Sequence, residues 1–234
     1  MRVHRVWLER VEAGRQRLFG GAGHHLVRVL RVQPGAPVVA FDGGGHEASG
    51  RVVEVDGDAV WLELGEPVAA TNEPRRALTL APALLKGDKL ADVVRMGTEL
   101  GAVAFRPVLA RRCDVRELSA VKLARLARIA LEAARQSRRA LVPQVHAAVA
   151  LEGLVWEGGA VVADPTAALA WRDAPELAGE ALTVITGPEG GLAPEERDAL
   201  AVRGARPVRL GGRVLRAETA PVAMAAAWLL DGEA

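Results

Sequence analysis

The chain has 234 residues, half of them hydrophobic and a quarter charged, with 30 Lys and Arg against 29 Asp and Glu for a formal net charge of +1. That composition is ordinary for a soluble globular protein, the length suggests about one or two domains, and the core is large enough to need no staples. A single cysteine, Cys113, excludes an internal disulfide and any zinc site built on two or four cysteines, and the longest apolar run, Ala220 to Leu230, is too short to cross roughly 30 Å of hydrocarbon.

The first third predicts short strands at Val3 to Leu8, Pro37 to Asp42, Glu47 to Val55 and Ala59 to Leu64, with Gly43-Gly44-Gly45 and Asp56-Gly57-Asp58 as turns. Between the first two, Gly23 to Leu30 places Leu26, Val29 and Leu30 on one helical face, and Pro34-Gly35 is expected to end that helix. A small β-barrel with one helix is the economical fold. The polar, proline-containing stretch Ala69 to Arg76 (AATNEPRR) reads as a boundary, which divides the chain into domains at 1–70 and 73–234.

From Ala77 the pattern changes to alternating strands and helices. A strand at Ala77 to Ala81 precedes a helix near Asp88 to Leu100, with Leu90, Val93, Val94 and Leu100 inward and Gly101 as its C-terminal cap. Val103 to Leu109 is strand-like, and Ser119 opens a long helix to about Arg139 with Leu123, Leu126, Ile129 and Ala133 on one face. Strands follow at Ala160 to Ala163, Leu182 to Thr186 and Pro207 to Leu210, and helices near Pro194 to Arg203 and Ala220 to Leu230. Such alternation implies an α/β fold with a parallel sheet covered on both faces, whose ligands bind at the carboxyl ends of its strands.

Near-zero net charge argues against a nucleic-acid partner only if the charge is evenly spread. It is not: residues 73–145 carry 15 basic and 7 acidic side chains, whereas residues 146–234 carry 7 and 13. A basic middle third suits a phosphate backbone, and it equally suits the solvated faces of charged helices.

Two loops stand at the expected ligand-binding positions. Gly187-Pro188-Glu189-Gly190-Gly191 follows the strand ending at Thr186 and precedes a helix, so backbone N–H groups can approach a ligand closely. It lacks the Lys-Ser/Thr of a P-loop and the spacing of a dinucleotide fingerprint. The second loop, LGGRVLRAETA from Leu210 to Ala220, leads into PVAMAAAWLL, a helix apolar nearly all round that belongs in a core or at an interface.

Together these loops closely resemble the RsmE family of small-subunit rRNA uridine methyltransferases. HHLVRVLRVQPG near the start, TELG at Thr98 to Gly101 and EAARQSRRALVP from Glu132 to Pro143 agree, so the resemblance covers nearly the whole chain; Ala217 stands where the family usually has threonine. The resemblance implies a PUA-like β-barrel joined to a SPOUT methyltransferase domain with a C-terminal trefoil knot. It also implies a homodimer that methylates N3 of a uridine in the decoding region of 16S rRNA with S-adenosylmethionine as donor; from the residues themselves, the single cysteine fits a reducing, cytoplasmic compartment, and no membrane segment and no metal site are expected. The alternatives are a knotted methyltransferase acting on tRNA or large-subunit rRNA, and a non-catalytic RNA-binding protein.

On that reading, Thr186, Gly187, Glu189, Gly190, Leu210, Gly211, Val214, Leu215 and Thr219 hold the cofactor, with Gly191 or Gly212 needed for positive φ and Ala163-Asp164-Pro165 as a third wall. Arg216 stabilises negative charge on the uracil, Glu218 is the candidate base and Arg138 a further catalytic candidate. Arg135 and Arg139 are candidates for gripping phosphate, and His24, His25 and Arg28 for RNA contact in the first domain.

Overall fold

The computed structural model describes residues 3–230 and, among them, every side chain except that of His25. The chain divides into two compact units, one of residues 1–73 and 134–142, the other of residues 74–133 and 143–234.

In the first unit, β1 (His4–Trp7), β2 (Gly14–Leu18), β3 (Pro37–Phe41), β4 (His46–Asp56), β5 (Ala59–Leu64) and β6 (Val68–Ala69) form one sheet in the order β1-β3-β4-β5-β2, with β6 also on β4. All pairings are antiparallel except β1 with β3. Alternate residues point inward, so Val38, Ala40, Val52, Val60, Leu62 and Leu64 meet in a dry core with Leu8 and Leu26. Strand β2 went unpredicted because GRQRL has one inward apolar residue, Leu18; its pairing with β5 selects the strand.

The expected helix between β2 and β3 differs from the reading. A short α1 (Gly20–His24) passes into one π-helical stretch, His25–Val29, and Arg31 at φ 52° ends it before Pro34-Gly35 is reached. The wider π turn breaks the 3.6-residue period, so Leu26 is buried but Val29 is 62% exposed. Gly23 is required by space: a Cβ there would lie 2.2 Å from the Asp58 carbonyl oxygen.

Residues Ala134–Val142 belong to this unit because Glu73 gathers them. Its Oε1 accepts the N–H groups of Ala140 and Leu141 at 2.8 and 2.9 Å, and its Oε2 accepts Nε of Arg139 at 2.9 Å and lies 2.8 Å from Nη2 as an ion pair.

In the second unit, β7 (Ala77–Pro82), β8 (Ala104–Phe105), β10 (Gln144–Val145), β12 (Gly159–Ala163), β13 (Ala181–Thr186) and β14 (Arg206–Val208) make a wholly parallel sheet in the order β10-β8-β7-β13-β12-β14. The predicted strand over Val103 to Leu109 is broken by Arg106-Pro107, and its second half, β9 (Val108–Leu109), pairs with β11 (Val149–Ala150). Central strands read ALTLAP, GAVVA and ALTVIT, without polar alternation, because both of their faces are buried; Leu78, Leu80, Val161, Val184 and Ile185 are fully buried.

Helix α2 (Lys89–Leu100) packs so closely that a Cβ on Gly97 would meet Leu80 at 2.8 Å and Phe105 at 2.9 Å, and Gly101 closes it in the left-handed conformation at φ 114°. Ser119 accepts the Lys122 N–H to open α3 (Ala120–Gln136). In α4 (Pro194–Val202), Glu196 reaches back to the Ala193 N–H and also accepts the Arg111 N–H. Helix α5 (Thr219–Leu229) buries Pro221, Met224, Ala225, Trp228 and Leu229 against α2, β7 and β13, while Val222, Ala223 and Ala226 stay half-buried and Ala227 exposed. No helix among the described residues is long and apolar enough to cross a membrane.

The basic stretch is also less segregated than its arithmetic suggests. Lys86 pairs with Asp114, Arg125 with Asp88, Arg139 with Glu73, and Lys89 and Arg111 with Glu189 and Glu195 from the acidic last third.

Candidate active site

Three adjacent strands, β13, β12 and β14, end at a cleft of about 600 Å³. That volume lies within the range of small-molecule sites, and the carboxyl edge of a parallel sheet is where such folds place them. Ala163 to Thr166 line it after β12, Thr186 to Leu192 after β13, and Val208, Leu210 and Arg213 to Glu218 after β14; Lys89, Arg112, Arg197, Ala220 and Met224 complete it.

The glycines of GPEGG do different jobs. At Gly187 a Cβ would lie 2.9 Å from the Leu192 nitrogen and 3.1 Å from the Gly191 carbonyl carbon, so the loop folds back on its own backbone there. Gly191 adopts φ 67° and donates to the Pro188 carbonyl, closing the turn. Gly190 has an ordinary φ and ordinary room, with Arg112 Cβ at 3.4 Å, and the Arg112 guanidinium donates to its carbonyl. In the second loop the positive φ falls on Gly211, at 74°, rather than Gly212.

Polar groups converge on this apolar surface. Thr186 is 1% exposed and its Oγ1 has no hydrogen-bond partner among the described residues, although it lines the cleft. A buried hydroxyl costs about 1–3 kcal/mol when unsatisfied, so a polar ligand atom is its natural partner. Asp164 accepts the N–H and hydroxyl of Thr166 and an Nη1 donor of Arg197 at 2.7 Å. Burial works against its charge, but these bonds outweigh it and hold the carboxyl below its ordinary range. Glu189 behaves alike: partial burial opposes its charge, while bonds from Lys89 Nζ at 2.7 Å and the Lys86 N–H at 3.3 Å keep it low. Lys89 also faces Glu218 Oε2 at 3.8 Å, a buried carboxylate oxygen with no hydrogen-bond partner among the described residues.

Of the residues singled out in the sequence, Thr186, Gly187, Glu189, Gly190, Leu210, Val214, Leu215, Arg216 and Glu218 all line this cleft. Gly211 and Thr219 adjoin it without lining it; the Thr219 N–H bonds the Arg216 carbonyl and starts α5. The other candidates lie in the first unit. Arg138 is exposed at φ 65°, an uncommon conformation for a residue with a Cβ, with its carbonyl held by Asn72 Nδ2 at 2.8 Å. Arg135 is half-buried. Arg139, expected to grip phosphate, is 3% exposed, with its guanidinium committed to Glu73; it organises the unit's interior and presents no charge to a ligand. His24 Nδ1 and Arg28 Nε both reach Asp58 at 3.2 Å, and the His25 side chain lies outside the described residues. The His24 contact, against slight desolvation and together with Arg28, lowers the Asp58 carboxyl. Cys113 is buried, which raises its thiol and leaves it unreactive.

Sequence reading missed Lys89, Arg112, Thr166, Arg197 and Met224. Lys89 alone left a signal, because a cation at a helix N-terminus opposes the helix dipole.

Two family models match this chain. Residues 71–229 match the model of an RNA methyltransferase domain and residues 20–65 that of an RNA methyltransferase PUA domain. The chain is 32% identical to the ribosomal RNA small subunit methyltransferase E of Bacillus subtilis over 88% of its own length and 86% of that protein's. The chain belongs to the ribosomal RNA small subunit methyltransferase E family. The Synechocystis member is 36% identical, over 85% of this chain and 67% of that protein. A methyltransferase E from Neisseria gonorrhoeae, solved bound to S-adenosyl methionine, superposes with a TM-score of 0.89 at 31% identity, covering 97% of this chain and 96% of that one. A putative methyltransferase from Legionella pneumophila, in complex with the same cofactor, gives 0.89 at 27% identity over 99% of both chains.

Proposed function

We propose that this protein transfers the methyl group of S-adenosylmethionine to N3 of a uridine in 16S rRNA of the small ribosomal subunit, acting as a homodimer. The observation that carries the reading is the cleft: a backbone-lined, largely apolar recess with one orphaned buried hydroxyl among the described residues, Thr186 Oγ1, and with charged side chains in its lining that include Lys89, Asp164, Glu189, Arg216 and Glu218. It fits a ligand with an aromatic base and a few polar atoms. Gly187, Gly190, Leu210, Val214 and Leu215 would hold the rings and Thr186 a polar edge, while Glu189 or Asp164 would hold a hydroxyl or amino group. When bound, S-adenosylmethionine would supply an electrophilic methyl group on a sulfonium, with the neutral thioether as the leaving group.

The residues of this chain handle the rest. Uridine N3 bears a weakly acidic proton, which must leave as the N–CH₃ bond forms, and the uracil oxygens gather negative charge meanwhile. Glu218 takes that proton. Arg216 stabilises the charge, aimed by a loop whose carbonyl at residue 216 caps the first turn of α5 through the N–H groups of Thr219 and Ala220. The half-buried apolar face of α5 at Val222, Ala223 and Ala226 supports a dimer, and the return of the chain from edge strand β14 to a helix on central β7 and β13 supports a trefoil knot.

The test is labelled methyl transfer into small subunits that lack the modification, with the product nucleoside identified. Label at uridine N3 is expected; label only in tRNA or large-subunit rRNA refutes the substrate. Arg216→Ala and Glu218→Ala should each slow single turnover while cofactor binding persists, and unchanged rates in both refute the mechanism.

A further inference from the structure

Lys89 is the first residue of α2, where the helix dipole disfavours a cation, and it was not among the residues that the loops pointed to. Three segments distant in sequence nevertheless converge on its ammonium. Glu189, from the loop after β13, accepts a hydrogen bond from Nζ at 2.7 Å; Glu218, at the start of α5, sets Oε2 3.8 Å away. That oxygen is buried and has no hydrogen-bond partner among the described residues, so the nearby ammonium is the favourable charge set against it. A residue that breaks a local rule while compensating a buried oxygen in a cleft is placed by the requirements of the site. Other charged groups around the cleft are Arg213 and Arg216 on the loop that carries Glu218, Arg112, and Arg197, which is paired with Asp164.

We propose that Lys89 is a positioning residue for Glu218: anchored by Glu189, its ammonium holds the inner carboxylate oxygen and so fixes the group that takes the uridine N3 proton. Glu189 orients Lys89, Lys89 orients Glu218, and Glu218 touches the substrate. The chain of contacts ties the proton acceptor to the GPEGG loop, so the loop that receives the cofactor also sets the geometry of proton removal. This inference rests on the reading of Glu218 as the base.

A double-mutant cycle separates the two. Single-turnover methylation of modification-free small subunits is measured for the wild type, Lys89→Gln, Glu218→Gln and the double variant, with cofactor affinity by calorimetry and folding by thermal melting. Glu218→Gln should lower the rate by about 100-fold or more, and Lys89→Gln by about 10- to 100-fold. The double variant should be no slower than Glu218→Gln alone, because Lys89 acts only through that carboxylate. Lys89→Arg, which keeps the charge, should restore most of the rate. If Lys89 merely braces the loop, its substitution raises KM for the cofactor, leaves the saturated rate alone and adds independently to Glu218→Gln; that result overturns the proposal. If Glu218→Gln has no effect, the base assignment itself fails. Should Lys89→Gln not melt cooperatively, the cycle is run with Lys89→Arg, whose smaller rate loss must vanish in the Glu218→Gln background.

Discussion

Replacing Gly187 with alanine tests how the cofactor loop is built. The added methyl would lie 2.9 Å from the Leu192 nitrogen, 3.1 Å from the Gly191 carbonyl carbon and 3.2 Å from the Gly191 Cα. All three are backbone atoms of the same turn, so no side chain can swing aside and the loop must open. Overpacking of this kind costs about 1–3 kcal/mol. A free loop can relax outward, whereas a loop wrapped on a ligand cannot, so the strain should appear mainly in binding. At 1.4 kcal/mol per tenfold, affinity for S-adenosylmethionine should fall by about 5- to 150-fold. Gly212→Ala, in the loop after β14, is the control: Gly212 does not line the cleft, its methyl would meet nothing within 4 Å, and affinity should change by less than about threefold on the scale of a near-neutral surface change. Calorimetric titration of both variants, with melting curves to confirm folding, reads the difference. Equal affinities for the two would show that the backbone contact at Gly187 does not shape the site.

Glu73→Gln should destabilise the first unit, because it removes the carboxylate that pairs with the 3%-exposed Arg139 guanidinium. Breaking a buried pair costs about 3–5 kcal/mol; amide exchange at Ala140 and Leu141 should accelerate strongly, and unchanged protection there would refute the role of Glu73 as organiser. Asp164 predicts an acid sensitivity. Its folded carboxyl is held below the ordinary range, so its stabilising contribution is complete above that range and is lost as pH falls through it. The melting temperature of the wild type should exceed that of Asp164→Asn near neutral pH, and the gap should close as the pH is taken below the ordinary carboxylate range; a gap independent of pH would contradict the Asp164–Arg197 account.

The parallel sheet was legible because β7, β12 and β13 are buried on both faces, which leaves uninterrupted apolar runs that chain order alone reveals. The cleft was legible for the same reason: GPEGG and LGGRVLRAETA each follow such a strand, and parallel strands carry their ends to one edge. Sequence failed where a partner element overrides local pattern. Strand β2 exists because β5 pairs with it, Val29 is exposed because a π turn shifts the helical period, and Ala134–Val142 joins the first unit because Glu73, more than sixty residues away, collects its amides. Charge shows the limit most plainly. Counted along the chain, cations gather in the middle and anions at the end, but Lys89 meets Glu189 and Arg111 meets Glu195 once the strands align. Composition and hydrophobic period follow from covalent order, so the sequence alone determined the class of fold and the two loops at its edge. Ion pairing depends on distances of a few ångströms between segments a hundred residues apart, so only the tertiary structure could decide that Arg139 is buried and that Lys89 stands beside Glu218.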